Sequence, residues 1–371
     1  MKPFSSENKI YFLIKDLSPG GAEKVCVMLY NILIKKGLNI TLVALNLKNK
    51  TLFNRLDENA KVIDINVNSV RKSIWPLLKI IIKNKPDLIL SFHIEPCIVI
   101  SILKNLLRLR TTIVLRSINT LSHAYNNPTR LIDKYLVFPL LKTQLQKMNL
   151  IIAQSTGMQE DLIMNFNISN QKIITIFNPS VLTSNNPSKL PKSPTGVEFT
   201  FIGRLETQKG LYDLIEIFDN VIRINSEVKL NILGTGSLYN DLQNIIRQRN
   251  LSRNIRLLGY TENVGPYIMK SKAVVLTSLY EGFPNVLVES IALGTPVISY
   301  DCPSGPSDII INTVNGILVP YLDQAKFSKA VIKVVNNEIK FDRDIVLSTS
   351  ERFQINDISK QYYDVLTCKY N

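Results

Sequence analysis

AVVLTSLYEGFPNVLVESIALGTPVISYD, residues 273–301, is the stretch on which the fold turns. Its first eight residues are an almost unbroken apolar run, the pattern of a strand buried on both faces. A loop opening with Glu281 and Gly282 follows. Pro284 suits a first helical turn, and Gly294 with Pro296 suits the stop before a second apolar run at 296–301. Strand, loop, helix and strand in that order mark a parallel sheet. The helix carries Glu289 about one and a half turns in. It also points backbone amides from Asn285 onward out of its N-terminus, where the helix dipole favours an anion such as a diphosphate. A carboxylate accepts two hydrogen bonds and donates none, so Glu281 and Glu289 suit vicinal sugar hydroxyls. Either glutamate alone reads more simply as a solvated side chain.

The same alternation runs outward through the chain. IYFLIKDL (10–17), the loop SPGGAEK, a helix from about 22 to 36, Gly37 and NITLVALN form a first strand-loop-helix-strand unit. Strand patterns recur at DLILSFH (87–93), TTIVLRS (111–117), LIIAQS (150–155) and IITIFN (173–178). The Pro- and Ser-rich stretch 178–196 breaks the pattern and reads as an interdomain linker. A second series follows with VEFTFIGR (197–204), KLNILG (229–234), IRLLG (255–259), AVVLTS (273–278) and PVISYD (296–301), closing with helices over about 324–337 and 353–366. At 371 residues the chain exceeds what one core usually absorbs, so two α/β domains are expected, 1–178 and 179–351.

Composition narrows the classes. A hydrophobic fraction of 45% describes a globular chain. The longest candidate membrane span, 88–107, is interrupted by His93, Glu95, Pro96 and Lys104, and no secretory or transit segment is evident at the N-terminus. Four scattered cysteines without a C-x-x-C pair suggest reduced thiols in a cytoplasmic setting. Charge is lopsided. Residues 1–178 carry 24 Lys and Arg against 11 Asp and Glu, whereas residues 179–371 carry 20 against 19. In the basic half, cations interleave with apolar residues in 69–86, 102–110 and 129–149, a pattern that suits an anionic membrane surface and equally an ordinary helix surface. No signature of a nucleic-acid-binding fold accompanies the charge, so nucleic acid is not an expected partner.

Two further motifs place cations and glycines at strand ends. In FIGRLETQKGLYDLI (201–215), Gly203 and Arg204 leave a strand and Lys209 follows before a helix, so both cations can meet at the sheet's carboxyl edge, where open sheets bind ligands. SPGGAEK holds Gly20 and Gly21. LGTGSLY (233–239) and LGYTENV (258–264) add Gly234 and Tyr260, without the G-x-G-x-x-G spacing of dinucleotide binding. The chain has two histidines: His93 ends a strand in LILSFHIEP, and His123 lies in the polar stretch after Arg116 and Asn119.

EGFPNVLVE, with S-x-A-x-G-T-P-V-I (290–298) and DCPSGPSDII (301–310), closely resembles the donor-site signature of the retaining family 4 glycosyltransferases. The resemblance covers nearly the whole chain and is strongest from about 197 to 320. It implies the GT-B fold, two doubly wound Rossmann-like domains facing a cleft, with the last helix (about 352–371) packed back on the first domain. By that resemblance Glu281 contacts the transferred sugar and Glu289 the nucleotide ribose. Gly282, Phe283, Asn285 and Val286 face sugar and phosphate, and Arg204 and Lys209 neutralise the leaving diphosphate. Gly20, Gly21 and Gly203 line the donor, Gly234 and Tyr260 lie near the nucleotide, and His93 is the catalytic histidine beside the sugar. Arg116, Asn119 and His123 fall where the acceptor would be lined, although RSIN replaces a commoner Arg-His there. No cofactor is implied, because the nucleotide sugar, a uridine-diphosphate sugar by expectation, is itself a substrate. No metal is implied either, and Asp342-Arg343-Asp344 reads as surface. The expected enzyme moves a hexose or N-acetylhexosamine to a lipid-linked saccharide in bacterial O-antigen, capsule or oligosaccharide synthesis, peripheral at the cytoplasmic face of the inner membrane. A sugar-nucleotide epimerase of the same fold and a non-catalytic sugar-nucleotide-binding subunit of a polysaccharide assembly complex are the alternatives.

Overall fold

A computed structural model describes residues 8–49, 51–125, 137–180 and 196–368. The expected linker lies mostly outside them, in 181–195. The chain divides into two compact units, Met1–Pro179 with Ile355–Asn371, and Ser180–Gln354.

The first unit is built on a seven-stranded parallel sheet of β1 (Lys9–Ile14), β2 (Asn39–Ala44), β3 (Lys61–Asp64), β4 (Leu88–Ser91), β5 (Thr112–Arg116), β6 (Leu150–Ala153) and β7 (Ile173–Thr175). Its order is β3-β2-β1-β4-β5-β6-β7. Alternate side chains feed two cores. From β1, Ile10, Phe12 and Ile14 enter one, and Tyr11 and Leu13 the other. The first core receives Val25, Leu29 and Leu33 of the helix Gly21–Lys35. The second receives Leu77 and Ile81 of Ile74–Asn84, and Cys97, Ile100 and Leu103 of Ile94–Leu107. Helices therefore cover both faces, as a doubly wound sheet requires. β3 is absent from the sequence reading because KVID is a short, half-exposed edge strand with charged ends.

The C-terminal helix, Ile355–Thr367, belongs to this first unit. Its Ile358, Tyr362, Val365 and Leu366 complete the core that holds Leu29 and Leu33. Arg116 is the polar anchor of that contact. It is 1% exposed, donates from Nε to the Tyr362 hydroxyl at 3.1 Å and from Nη2 to Asn178 Oδ1 at 2.7 Å, and sits 5.5 Å from the Phe92 ring centroid. Asn178 in turn donates to Gln154 Oε1 at 2.7 Å, and Gln154 donates to the Ser117 carbonyl. This corrects two expectations. Arg116 points into the core and not along an acceptor surface, and the stretch beginning at 178 starts buried, with Asn178 and Ser180 both inside.

The second unit carries a six-stranded parallel sheet of β8 (Glu198–Ile202), β9 (Lys229–Leu233), β10 (Ile255–Gly259), β11 (Ala273–Leu276), β12 (Val297–Tyr300) and β13 (Gly316–Val319), in the order β10-β9-β8-β11-β12-β13. The edge strand β13, only GILV, also escaped the sequence reading. The helix after β11 is Asn285–Ile291, shorter than the run to Gly294, and Pro284 precedes it as N-cap. Asp342 caps the helix Arg343–Ser348, accepting from Asp344 and Ile345 amides at 2.9 and 3.1 Å, which accounts for the D-x-D structurally. Among the described residues no helix is long and apolar enough to cross a membrane.

Tyr362→Phe removes the hydroxyl that accepts from Arg116 and strands a buried N–H. Stability should fall by about 1–3 kcal/mol, read as a lower urea midpoint by circular dichroism. An unchanged midpoint would show that Arg116 does not depend on it.

Candidate functional site

In each sheet the first strand lies beside the fourth, β1 beside β4 and β8 beside β11, so each unit has one topological switch point. Some of the residues singled out from sequence lie there, His93 in the first unit and Arg204, Lys209 and Glu281 in the second, while Gly234, Tyr260, Asn119 and His123 follow other strands.

In the second unit, Gly203 and Arg204 follow β8, and a short turn, Thr207–Lys209, leads into the helix Leu211–Ile224. Gly210 joins turn to helix with φ +60, and a Cβ there would lie 2.0 Å from the Thr277 carbonyl at the end of β11. Only glycine allows this left-handed, tightly packed corner. The corner is tied across the switch point. The Thr277 hydroxyl donates to the carbonyls of Lys209 (3.2 Å) and Gly210 (3.0 Å), the Leu279 amide donates to Gln208 O at 2.8 Å, and the Gln208 amide donates to Tyr280 O at 2.9 Å. So held, Lys209 Nζ meets Glu281 Oε1 at 2.5 Å, and the Ser278 hydroxyl donates to the same oxygen at 2.5 Å. Both partners of the ion pair are largely buried. Burial and the nearby Glu281 carboxylate push the neighbouring Cys302 thiol well above its ordinary range. Arg204 is exposed and holds Gln208 Oε1 at 3.4 Å.

The rest of this edge is shaped by glycine and loop packing. At Gly234, φ is +141 and a Cβ would come within 1.8 Å of the Gly203 carbonyl, so the ends of β8 and β9 touch main chain to main chain. Tyr260 is exposed just beyond β10. Gly282 and Phe283 are buried, Asn285, Val286 and Glu289 half-buried, all on the loop and short helix that follow Glu281. The Glu281 amide donates to Pro303 O at 3.1 Å, which pins this loop to the 303–305 turn.

In the first unit, His93 follows β4 and caps the helix Ile94–Leu107, and the Ser91 hydroxyl donates to its carbonyl at 2.7 Å. Its Nε2 lies 3.2 Å from Glu23 Oε1, and its Nδ1 is buried with no partner among the described residues. Glu23 stands in the first turn of Gly21–Lys35. Gly20 (φ −89) and Gly21 adopt ordinary backbone conformations, so their conformational freedom is not what the loop uses. A Cβ at Gly20 would lie 2.0 Å from Glu23 Oε2; the glycine leaves room for that carboxylate. Asn119 and exposed His123 flank a loop fixed by Asp161, whose Oδ2 accepts from the Leu121 and Ser122 amides at 3.0 and 3.2 Å.

The sequence reading missed Glu23 and Ser278 as parts of these sets. Both lie inside quoted motifs, SPGGAEK and AVVLTS, but only strand order shows that Glu23 faces His93, 70 positions away, and that the carboxylate Ser278 bonds is the one that meets Lys209. Among the described residues no group of three or more His, Cys, Asp or Glu side chains is arranged to hold a metal ion.

Comparison with known proteins bears on this architecture. The family described as Glycosyl transferases group 1 matches residues 183–351, and Glycosyltransferase Family 4 matches residues 19–180. An uncharacterized glycosyltransferase of Methanocaldococcus jannaschii is 30% identical over 281 residues, covering 70% of this chain and 68% of that one. A lipopolysaccharide 1,6-galactosyltransferase of Salmonella typhimurium is 35% identical over 225 residues, and that match spans 59% of this chain and 58% of the relative's length. Among solved structures, the lipopolysaccharide outer core galactosyltransferase WaaB superposes with a TM-score of 0.75 at 23% identity, covering 96% of this chain and 99% of that one. Anabaena HepE in complex with UDP and glucose superposes with a TM-score of 0.80 at 17% identity, covering 98% and 100%. At those identities the likeness is one of fold, and the fold is GT-B.

Lys209→Met leaves the Glu281 carboxylate buried without its cation and should destabilise the second unit by about 3–5 kcal/mol in urea unfolding. Adding Glu281→Gln should restore most of that loss. Additive effects of the two changes would show that the pair is not coupled.

Proposed function

Because this chain belongs to glycosyltransferase family 4, we propose that it is a retaining, metal-independent hexosyltransferase that moves a hexose or N-acetylhexosamine from a uridine-diphosphate sugar to a lipid-linked saccharide. The observation that carries this reading is the buried Lys209–Glu281 pair at the switch point of the second unit. A cation for a diphosphate and a carboxylate for sugar hydroxyls stand side by side, with Arg204 exposed on the same strand end. Loss of a diphosphate builds negative charge as the glycosidic bond breaks. Fixed cations lower that barrier because they are oriented before reaction. Arg204 and Lys209 take this role, Glu281 orients the sugar, and Glu289 and Tyr260 are assigned to ribose and base. His93, at the switch point of the first unit, is assigned to the transferred sugar. The leaving phosphate accepts the proton of the acceptor hydroxyl on the same face, so the protein mainly positions and neutralises. Asn119 and His123 remain the acceptor candidates; Arg116 is withdrawn, since its guanidinium is committed to the core. The named activities of the Salmonella galactosyltransferase, and of a Campylobacter jejuni enzyme acting on a diphospho-undecaprenol saccharide that is 32% identical over 213 residues, support a glycan acceptor of bacterial surface type.

A lipid-linked acceptor calls for a membrane-facing surface, and two helices of the first unit support that reading. The helices Ile74–Asn84 and Ile94–Leu107 touch each other on one face of the sheet. Their outer sides expose Trp75 (71%), Ile82, Leu106 (75%) and Leu107 beside Lys79 and Lys83. The stretches 69–86 and 102–110 contain no Asp or Glu. Apolar and cationic side chains in stretches without acidic residues suit an anionic bilayer surface, where each cation near the headgroups contributes roughly 1 kcal/mol.

Incubating the protein with a panel of UDP- and GDP-sugars and membrane lipid extract should release UDP from one donor, and Glu281→Ala should slow release by roughly tenfold to a hundredfold. Release untouched by that substitution would sink the donor assignment. In flotation with anionic and neutral liposomes, the wild type should float with anionic ones at low salt, and a Trp75→Ser/Leu106→Ser variant should stay in the dense fraction. Equal flotation of both proteins would remove the membrane face from this reading.

A further inference from the structure

Glu23 has no part in the chemistry assigned above, yet it occupies the crevice between β1 and β4 with His93. It is 8% exposed. A glutamate in a helix's first turn is favoured by the dipole, but it ordinarily keeps its carboxylate in water. This one is turned inward, and a buried carboxylate persists where a hydrogen-bonding partner meets it. Two independent features fit that placement. A Cβ at Gly20 would lie 2.0 Å from Glu23 Oε2, so the glycine leaves the carboxylate room in this inward position. His93 Nε2 lies 3.2 Å from Glu23 Oε1, while His93 Nδ1 is enclosed and has no partner among the described residues.

We infer that Glu23 is a positioning residue for His93: its carboxylate accepts the Nε2 proton, and so fixes the ring's tautomer with Nδ1 unprotonated. The protonated nitrogen of a neutral imidazole is set by the hydrogen bond that the other atoms of the ring's surroundings impose. An acceptor-only carboxylate at Nε2 forces the proton there, and the second nitrogen is left with a lone pair. The backbone of His93 is tied separately, through its carbonyl to the Ser91 hydroxyl at 2.7 Å, so ring and main chain are held by different partners. Glu95, the next carboxylate along, is engaged with Lys15 at 2.8 Å. Glu23 is thus the carboxylate paired with the ring.

The chain has two histidines, which makes the imidazole nitrogens readable by ¹⁵N NMR, and the signals lost in His93→Asn assign the pair. In the protein without ligand, His93 should show Nε2 protonated and Nδ1 bare. Glu23→Ala should average the two nitrogens toward a tautomer mixture. Glu23→Gln, whose amide oxygen still accepts, should keep the proton on Nε2. With a transferable nucleotide sugar, Glu23→Ala should lower kcat by roughly tenfold or more with little change in KM for the donor, and Glu23→Gln should recover most of it. The kinetic arm rests on the transfer reading above and the spectroscopic arm does not, so a protein that turns over no donor leaves the tautomer test intact. A proton on Nδ1 in the wild type overturns the inference, as does an unchanged tautomer in Glu23→Ala. Because the wild-type spectrum alone can overturn it, a poorly folding Ala variant does not protect it.

Discussion

The placement of each sheet's first strand beside its fourth is the constraint from which both polar pairs follow. Crossovers between parallel strands are right-handed, so helices after β1 and β4 leave toward opposite faces, and those after β8 and β11 do the same. Main chain diverges from the strand ends at that one position in each sheet and leaves a crevice that side chains must fill. In the first unit Glu23 and His93 fill it, and in the second Lys209 and Glu281 do. Charged groups can stay in such a place because each finds a partner across the crevice; an isolated one would cost several kcal/mol. Neither pair is close in sequence. Hydrogen-bonded atoms of Lys209 and Glu281 are 72 residues apart, and only strand order brings them together.

A second buried polar network does a different job. Arg116 is enclosed, held by Tyr362, Asn178 and the Phe92 face, and among the described residues it pairs with no carboxylate and one of its terminal nitrogens, Nη1, has no partner. A Leu or Met of similar volume would avoid the desolvation of a guanidinium, so the arrangement is hard to explain as the most stable filling. It does select one position for two distant segments at once. Asn178 lies at the end of the N-terminal series of strands, and Tyr362 lies on the helix that completes the first core. A greasy core of Leu29, Leu33, Val365 and Leu366 would tolerate a slipped helix; a fork of hydrogen bonds from one arginine does not.

Much of this was legible in the sequence, for physical reasons that also mark where legibility stopped. Strands buried on both faces read as continuous apolar runs, which is why AVVLTS, LIIAQS and TTIVLRS declare themselves. KVID and GILV did not, because an edge strand has one neighbour, half its surface wet and no need of a long apolar run. The individual site residues could be singled out since they lie at strand ends beside glycines. Their pairing could not, because helix and strand periodicities carry no information on which strands are adjacent. Arg116 was misread for a related reason. An arginine after a strand normally snorkels to water, and nothing local in VLRSIN signals that Tyr362, 246 residues later, will cover it.

The two pairs run in opposite sense, and the inversion has a consequence for ligand binding. In the first unit the carboxylate follows the first strand and the base follows the fourth; in the second unit the cation follows the first strand and the carboxylate follows the fourth. The Lys209–Glu281 pair is close to self-neutral, so the second unit's excess positive charge at its switch point rests with exposed Arg204. A ligand carrying only phosphate would gain Lys209 by loosening its 2.5 Å bond to Glu281, trading one charge-assisted bond for another with little net gain. A ligand carrying phosphate and vicinal hydroxyls meets both ends at once, since the hydroxyls supply Glu281 with donors as the phosphate draws on Lys209. On the proposed reading, discrimination between a nucleotide and a nucleotide sugar is therefore built into the shared oxygen of Glu281, where Lys209 and Ser278 already converge.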